Sequence, residues 1–269
     1  MHYLLTIVIL LVGWCLFLVW REPSMIYYPD KTPFRTPPGV TDLALTASDG
    51  VKIHGWFVPG PTNAPLTVLF FHGNAGNLSH RDEKIAILRE LGANVCIIDY
   101  RGYGRSEGHP HEQGTYRDAQ AAYDHLTKTQ HRDPRTIIIY GESLGTGISV
   151  ELAARGPVGG LILEAGFTSI PDVAQELFPF LPVRYLVRNK YESLRKITGV
   201  TAPVLLLHSR QDEVFGYRHA ERLYAAAHEP KRLVELRGGH NDAFVQSLPV
   251  YRGALKEFFA KLAASADSR

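Results

Sequence analysis

Short apolar runs alternate along this chain with longer segments of helical period. Residues 43–46 and 52–58 flank Ser48-Asp49-Gly50, a hairpin signal. Residues 66–71, 94–100, 136–140, 161–164, 204–208 and 232–236 read as strands, mostly short and apolar, as strands buried on both faces are. Residues 81–91, 116–130, 144–154, 219–227 and 251–264 read as helices. Strands alternating with helices predict an α/β domain with a mostly parallel sheet covered on both faces. Ligands of such sheets bind at the carboxyl ends of the strands, so the loops there are where chemistry is to be sought.

The N-terminus breaks this rhythm. Residues 3–20 are 18 positions without a charge, roughly 27 Å as a helix and close to the hydrocarbon thickness of a bilayer. Arg21 and Glu22 end the run. No Lys or Arg precedes it and no A-x-A-like site follows, which disfavours a cleaved signal peptide. Trp14 is too bulky for lipoprotein processing at Cys15. The expectation is a single-pass anchor over residues 1–22, a Pro-rich linker over 23–40 that is extended or forms a first edge segment, and one domain over 41–265. Arg21, Lys31 and Arg35 favour a cytoplasmic domain by the positive-inside rule, but short N-terminal tails obey that rule poorly and the side stays open.

Composition narrows the partners. The 269 residues suffice for one α/β domain with a full core. Net charge is +2 with no basic stripe, so nucleic acid is not an expected partner. Cys15 and Cys96 fall in the apolar N-terminal run and a core strand, and no Cys/His spacing fits a metal; neither metal nor cofactor is expected.

The pattern G-x-S-x-G occurs twice, at Gly141-Glu142-Ser143-Leu144-Gly145 and at Gly104-Arg105-Ser106-Glu107-Gly108. A nucleophile elbow needs a strand directly before the serine and a helix directly after. Ser143 has both. Ser106 follows a loop and precedes Gly108-His109-Pro110, and reads as a loop residue. A serine hydroxyl needs a base and a carboxylate to orient that base, and after an elbow they follow in the order acid, then His. Among twelve histidines, His240 follows the last strand through Arg237-Gly238-Gly239, and Asp212 follows strand 204–208. Both lie on the sheet edge that carries Ser143. His208 helps to shape the Asp212 loop, and His72 reads as structural. His125, His131, His219 and His228 read as surface positions. Glu164 is the runner-up acid, Asp99 a structural hydrogen-bonding group, and Asp242 lies too close in sequence to orient His240. The glycine-rich segment 72–77 follows a strand directly and can aim a backbone N–H at a substrate oxygen; Asn74 and Leu144 are the assigned oxyanion-hole donors.

HGNAGN at 72–77, DYRGYGRSEG at 99–108, GESLGTG at 141–147, HSRQDEVF at 208–215 and GGHND at 238–242 together resemble the α/β-hydrolase superfamily. More narrowly they resemble its serine-aminopeptidase-like and bud-emergence-type members, which often carry an N-terminal membrane anchor. The likeness spans about residues 40–265. It implies an α/β-hydrolase fold and a Ser143, Asp212, His240 triad with Asn74 and Leu144 at the oxyanion hole. Ser209 departs from the Gly common in the family and affects only a neighbouring loop. Such relatives act on acyl thioesters of lipidated proteins or on small esters, so the peptidase label transfers poorly. The expected activity is hydrolysis of a carboxylic ester or thioester through an acyl-enzyme. Amide or peptide hydrolysis by the same residues, or a non-catalytic membrane-tethered binding protein, are the alternatives. Residues 170–201 exceed one crossover helix and are expected to form a cap. Its apolar side chains, such as Phe178, Phe180 and Leu186, and cations, such as Arg184 and Arg188, suit a lid over a small or lipid-like acyl substrate beside anionic headgroups. The plainer reading is a lid that only packs on the domain.

Overall fold

The computed structural model describes residues 2–267. Among these, eight strands build one sheet: β1 (Thr41–Thr46), β2 (Lys52–Val58), β3 (Leu66–Phe71), β4 (Ala93–Ile98), β5 (Ile137–Glu142), β6 (Gly160–Glu164), β7 (Val204–Ser209) and β8 (Lys231–Leu236). Their order across the sheet is β1-β2-β4-β3-β5-β6-β7-β8. Strand β2 runs antiparallel to β1 and β4, and the remaining pairings are parallel. The longer helices are α1 (His2–Ile26), α2 (Asp82–Glu90), α3 (Glu112–Asp124), α4 (Leu144–Arg155), α5 (Ile170–Leu177), α6 (Arg218–Ala226) and α7 (Leu248–Asp267). This is the α/β architecture that the alternating pattern predicts.

Side-chain alternation divides the core in two. Ile137 and Ile139 of β5 join a cluster with Ala119 of α3, Ile148 of α4 and Leu223 of α6. Ile138 and Tyr140 face the other way, with Leu88 of α2 and Leu255 and Phe259 of α7. Each strand therefore buries both faces, which is why its sequence is apolar without interruption.

Several boundaries move for tertiary reasons. The helix expected at 116–130 starts at Glu112 and closes with a wide π-type turn, His125–Thr129. Glu112 is fixed there because its carboxylate accepts from Tyr116 Oη (2.8 Å) and from the backbone N–H of Lys190 (2.6 Å) and Tyr191 (3.0 Å). Helix α1 continues past residue 22 to Ile26, with Pro23 inside it. The Glu22 carboxylate is buried and accepts from the backbone N–H groups of Arg188 and Asn189, both at 2.8 Å. A charge that closes the apolar run in the sequence is thus hydrogen-bonded by distant backbone and paired with the Arg188 guanidinium at 3.1 Å. The following segment is docked: Tyr28–Pro29 pairs in parallel with Ala75–Gly76, and the buried Tyr27 meets Tyr191 Oη at 2.8 Å. Within α1, Leu5–Ile26 has mean hydropathy 1.9 and is long and apolar enough to cross a bilayer, a character that membrane anchors and signal sequences share.

Residues 170–191 include α5 and the turn Val183–Tyr185, and side chains from this segment line the cavity that contains Ser143. The rest of the expected cap returns to the domain, where Lys196 meets Glu151 at 2.5 Å and Ile197 and Val200 join the core.

A tight packing constraint against backbone lies where α4 meets β3. A Cβ on Gly145 would sit 2.0 Å from Phe71 O. That obstacle is backbone, so relaxation is costly. Gly145→Ala is expected to lose at least about 3 kcal/mol, whereas Gly156→Ala, in open space, should stay within about 0.5 kcal/mol of the parent. Urea unfolding of both variants checks this.

Candidate active site

Strand β5 delivers Ser143 and α4 begins at the next residue. Ser143 has φ 51° and ψ −117°, a region that L-residues rarely adopt. Its neighbours hold it there. Its N–H donates to Glu164 O (2.9 Å), and its carbonyl accepts from Thr146 N (2.9 Å) and Thr146 Oγ1 (2.7 Å). The turn lifts Oγ above the sheet edge beside the positive end of α4.

Loops after β7 and β8 bring the next two groups. Ser143 Oγ lies 2.9 Å from His240 Nε2, and His240 Nδ1 lies 2.8 Å from Asp212 Oδ2. Asp212 Oδ1 accepts from the N–H groups of Val214 (2.9 Å) and Phe215 (2.7 Å). Burial alone would push the Asp212 carboxyl up. The His240 hydrogen bond and charge and the Phe215 N–H outweigh it and hold Asp212 below the ordinary range. Asp212 is therefore a carboxylate at neutral pH, able to keep Nδ1 protonated and Nε2 free to accept a proton. The edge of Phe215 packs on His240, with centroids 5.1 Å apart, and Glu213 Oε2 accepts from His240 N (3.0 Å).

Among the described residues, none of the other candidates hydrogen-bonds Ser143 Oγ. His208 Nε2 donates to Phe215 O (2.7 Å), and burial holds its pKa down. His72 is buried, with Nδ1 on Gly73 O (2.7 Å). Ser106 Oγ donates to Asp99 O (2.7 Å) and accepts from His54 N (2.9 Å). Asp99 accepts from Leu78 N (2.8 Å), and Asp242 from Gln246 (2.6 Å). His219, expected at the surface, is fully buried. It heads α6 and reaches Thr168 Oγ1 at 2.9 Å, because the segment after β6 folds down over it.

Glu164 belongs to a buried charge cluster. Lys84 Nζ donates to both its oxygens at 2.9 Å, and Tyr140 donates to it as well. Glu142, directly before Ser143, lies 3.2 Å from Lys84 Nζ and 3.1 Å from Arg81 Nε. Burial raises its pKa, but Lys84 and Arg81 overcome this and hold it at about 2. The sequence reading missed this cluster, whose members are far apart in the chain. The one local signal was a Lys at a buried position of α2.

Asn74 and Leu144 border the same cavity as Ser143. Leu144 opens α4, so its N–H has no acceptor within the helix. The loop carrying Asn74 is tied on three sides: Asn74 O accepts from Tyr28 N (3.0 Å) and Tyr103 Oη (2.7 Å), and Asn74 Nδ2 donates to Ile26 O (3.1 Å). The cavity measures about 220 Å³. Its walls come from α1, the cap and the Asp212 loop, and they are apolar except at Glu22, Asn74 and Ser143. Among the described residues, no group of His, Cys, Asp and Glu is arranged to hold a metal ion.

A family model described as "Serine aminopeptidase, S33" matches residues 62–193. The α/β-hydrolase domain-containing protein WAV2 of Arabidopsis thaliana is 38% identical, over 86% of this chain and 82% of its own. The uncharacterized protein Rv2307c of Mycobacterium tuberculosis is 36% identical, over 96% of this chain and 94% of its own. Among solved structures, the Pyrococcus furiosus esterase Pf2001 superposes with a TM-score of 0.72 at 17% identity, over 87% of this chain and 98% of its own. The chain belongs to the α/β-hydrolase superfamily.

The Glu142 carboxyl titrates lower in the folded chain than in the unfolded one. It therefore contributes stability that is full above its unfolded pKa near 4.5 and is lost as pH falls toward about 2. Glu142→Gln should be less stable than the parent by on the order of 3 kcal/mol at pH 6, with the gap closing near pH 2. Guanidinium unfolding at the two pH values measures it.

Proposed function

We propose that this chain is a membrane-anchored serine hydrolase that cleaves a carboxylic ester or thioester through an acyl-enzyme. The observation that carries this reading is the continuous chain from Ser143 Oγ through His240 to Asp212, at 2.9 and 2.8 Å, opening on an apolar cavity.

In this mechanism Ser143 Oγ attacks the carbonyl carbon while His240 Nε2 takes the hydroxyl proton. Asp212 accepts from Nδ1–H and stabilises the imidazolium. The tetrahedral oxyanion receives the N–H groups of Asn74 and Leu144, each worth about 3 kcal/mol in the transition state. Collapse breaks the bond to the alcohol or thiol, which leaves with the proton from His240. Water then attacks the acyl-enzyme, His240 takes its proton and returns it to Ser143 Oγ, and the acid departs.

An aminopeptidase would need a carboxylate to receive the substrate's α-ammonium. Among the described residues lining the cavity, Glu22 is the available carboxylate, and Arg188 and Asn189 already occupy it. This favours acyl substrates without a charged amine. Retention of the anchor is supported by its last turn, since Glu22 and Ile26 are packed into the domain rather than trailing from it.

A fluorophosphonate probe should label the detergent-solubilised wild-type chain and leave Ser143→Ala unlabelled. On p-nitrophenyl esters, Ser143→Ala is expected to lower kcat by about 10⁶ and Asp212→Asn by about 10⁴. A folded wild type that takes no label would make the non-catalytic binding protein the better reading.

A further inference from the structure

The anchor does more than tether the domain. Leu18, Val19, Glu22, Met25 and Ile26 all line the cavity that opens on Ser143. Their spacing of three and four residues puts them on one face of α1. The stripe from Ile26 to Leu18 covers about 12 Å of helix, and its far end lies inside the candidate membrane span Leu5–Ile26. The opposite wall is the cap, through Val173, Leu177, Val183 and Val187. Glu22 locks the two walls together: it accepts from Arg188 and Asn189 of the cap, while Arg188 Nη2 donates to Val19 O at 2.9 Å.

Around this groove the protein shows apolar groups to its surroundings. Leu177, Phe180 and Tyr185 of the cap are exposed, Phe180 almost completely, and so is Trp20 of α1. Aromatic side chains so placed beside a spanning helix suit the boundary between headgroups and hydrocarbon. A groove with the nucleophile at one end and bilayer-facing residues at the other fits a chain that never leaves the membrane.

Resting on the hydrolase reading above, we propose that the substrate is a long-chain acyl ester resident in the bilayer, and that its chain reaches Ser143 along the groove between α1 and the cap. The anchor is then part of the substrate site. Hydrolysis consumes one water, and releases the fatty acid into the bilayer and the alcohol headgroup to the aqueous side.

The test uses the full chain in phosphatidylcholine nanodiscs. Release of palmitate from embedded monopalmitoylglycerol is compared with hydrolysis of aqueous p-nitrophenyl butyrate. Wild type should cleave both. Val19→Trp fills the groove from the anchor side and should lower the long-to-short rate ratio at least tenfold. Val12→Trp, on α1 away from the cavity, should leave that ratio unchanged. Should Val19→Trp fail to accumulate, Val187→Trp on the opposite wall carries the same expectation. An unchanged ratio in the groove variant, or a wild type that cleaves butyrate but not the embedded lipid, overturns the proposal while leaving the hydrolase reading intact. A folded wild type that cleaves neither and takes no fluorophosphonate overturns the hydrolase reading itself.

Discussion

Helix α4 starts so close to the end of β3 that Gly145 has no room for a side chain against Phe71 O. This contact fixes the turn at Ser143. A residue at φ 51° costs on the order of 1–3 kcal/mol unless its surroundings over-determine it. Here the Glu164 carbonyl accepts its N–H, Thr146 donates to its carbonyl, and the close helix–strand packing adds to the constraint. The same packing brings the free N–H of Leu144 and the loop of Asn74 to one cavity.

Electrostatics supports the turn from beneath. Lys84 reaches Glu142 and Glu164, the last residues of the neighbouring strands β5 and β6, and so ties α2 to the two strand ends beside Ser143. Buried ions of this kind cost desolvation, and their arrangement is tolerable only because each carboxylate has more than one polar partner. Glu142 has Arg81 besides Lys84; Glu164 has Tyr140.

The third element is the junction of α1 and the domain. Ile26 O, Tyr28 N and Tyr103 Oη all hold Asn74, so the loop beside Ser143 is braced by the end of α1. Glu22, Tyr27 and Asn189 then join α1 to the cap. Helix α1, residues 170–191 and the glycine-rich loop are thus joined by direct hydrogen bonds.

The sequence by itself determined the architecture and narrowed the site. Period and apolarity gave the strands and helices because strands buried on both faces must be apolar throughout. Ser143 stood apart from Ser106 because the elbow is a local device, a strand, a glycine-flanked serine and a helix within a few residues. Asp212 and His240 followed from chain order at the sheet edge, and the structure brings them within hydrogen-bonding distance of one another and of Ser143. Only tertiary structure decided the Lys84 cluster, the burial of His219, the extension of α1 to Ile26 and the groove it shares with the cap. Each of these depends on partners far apart in the chain: Glu22 reads as the end of an apolar run until Arg188 and Asn189 are folded onto it. Local periodicity carries no information about such long-range partners, and these are what fix the shape of the cavity above Ser143.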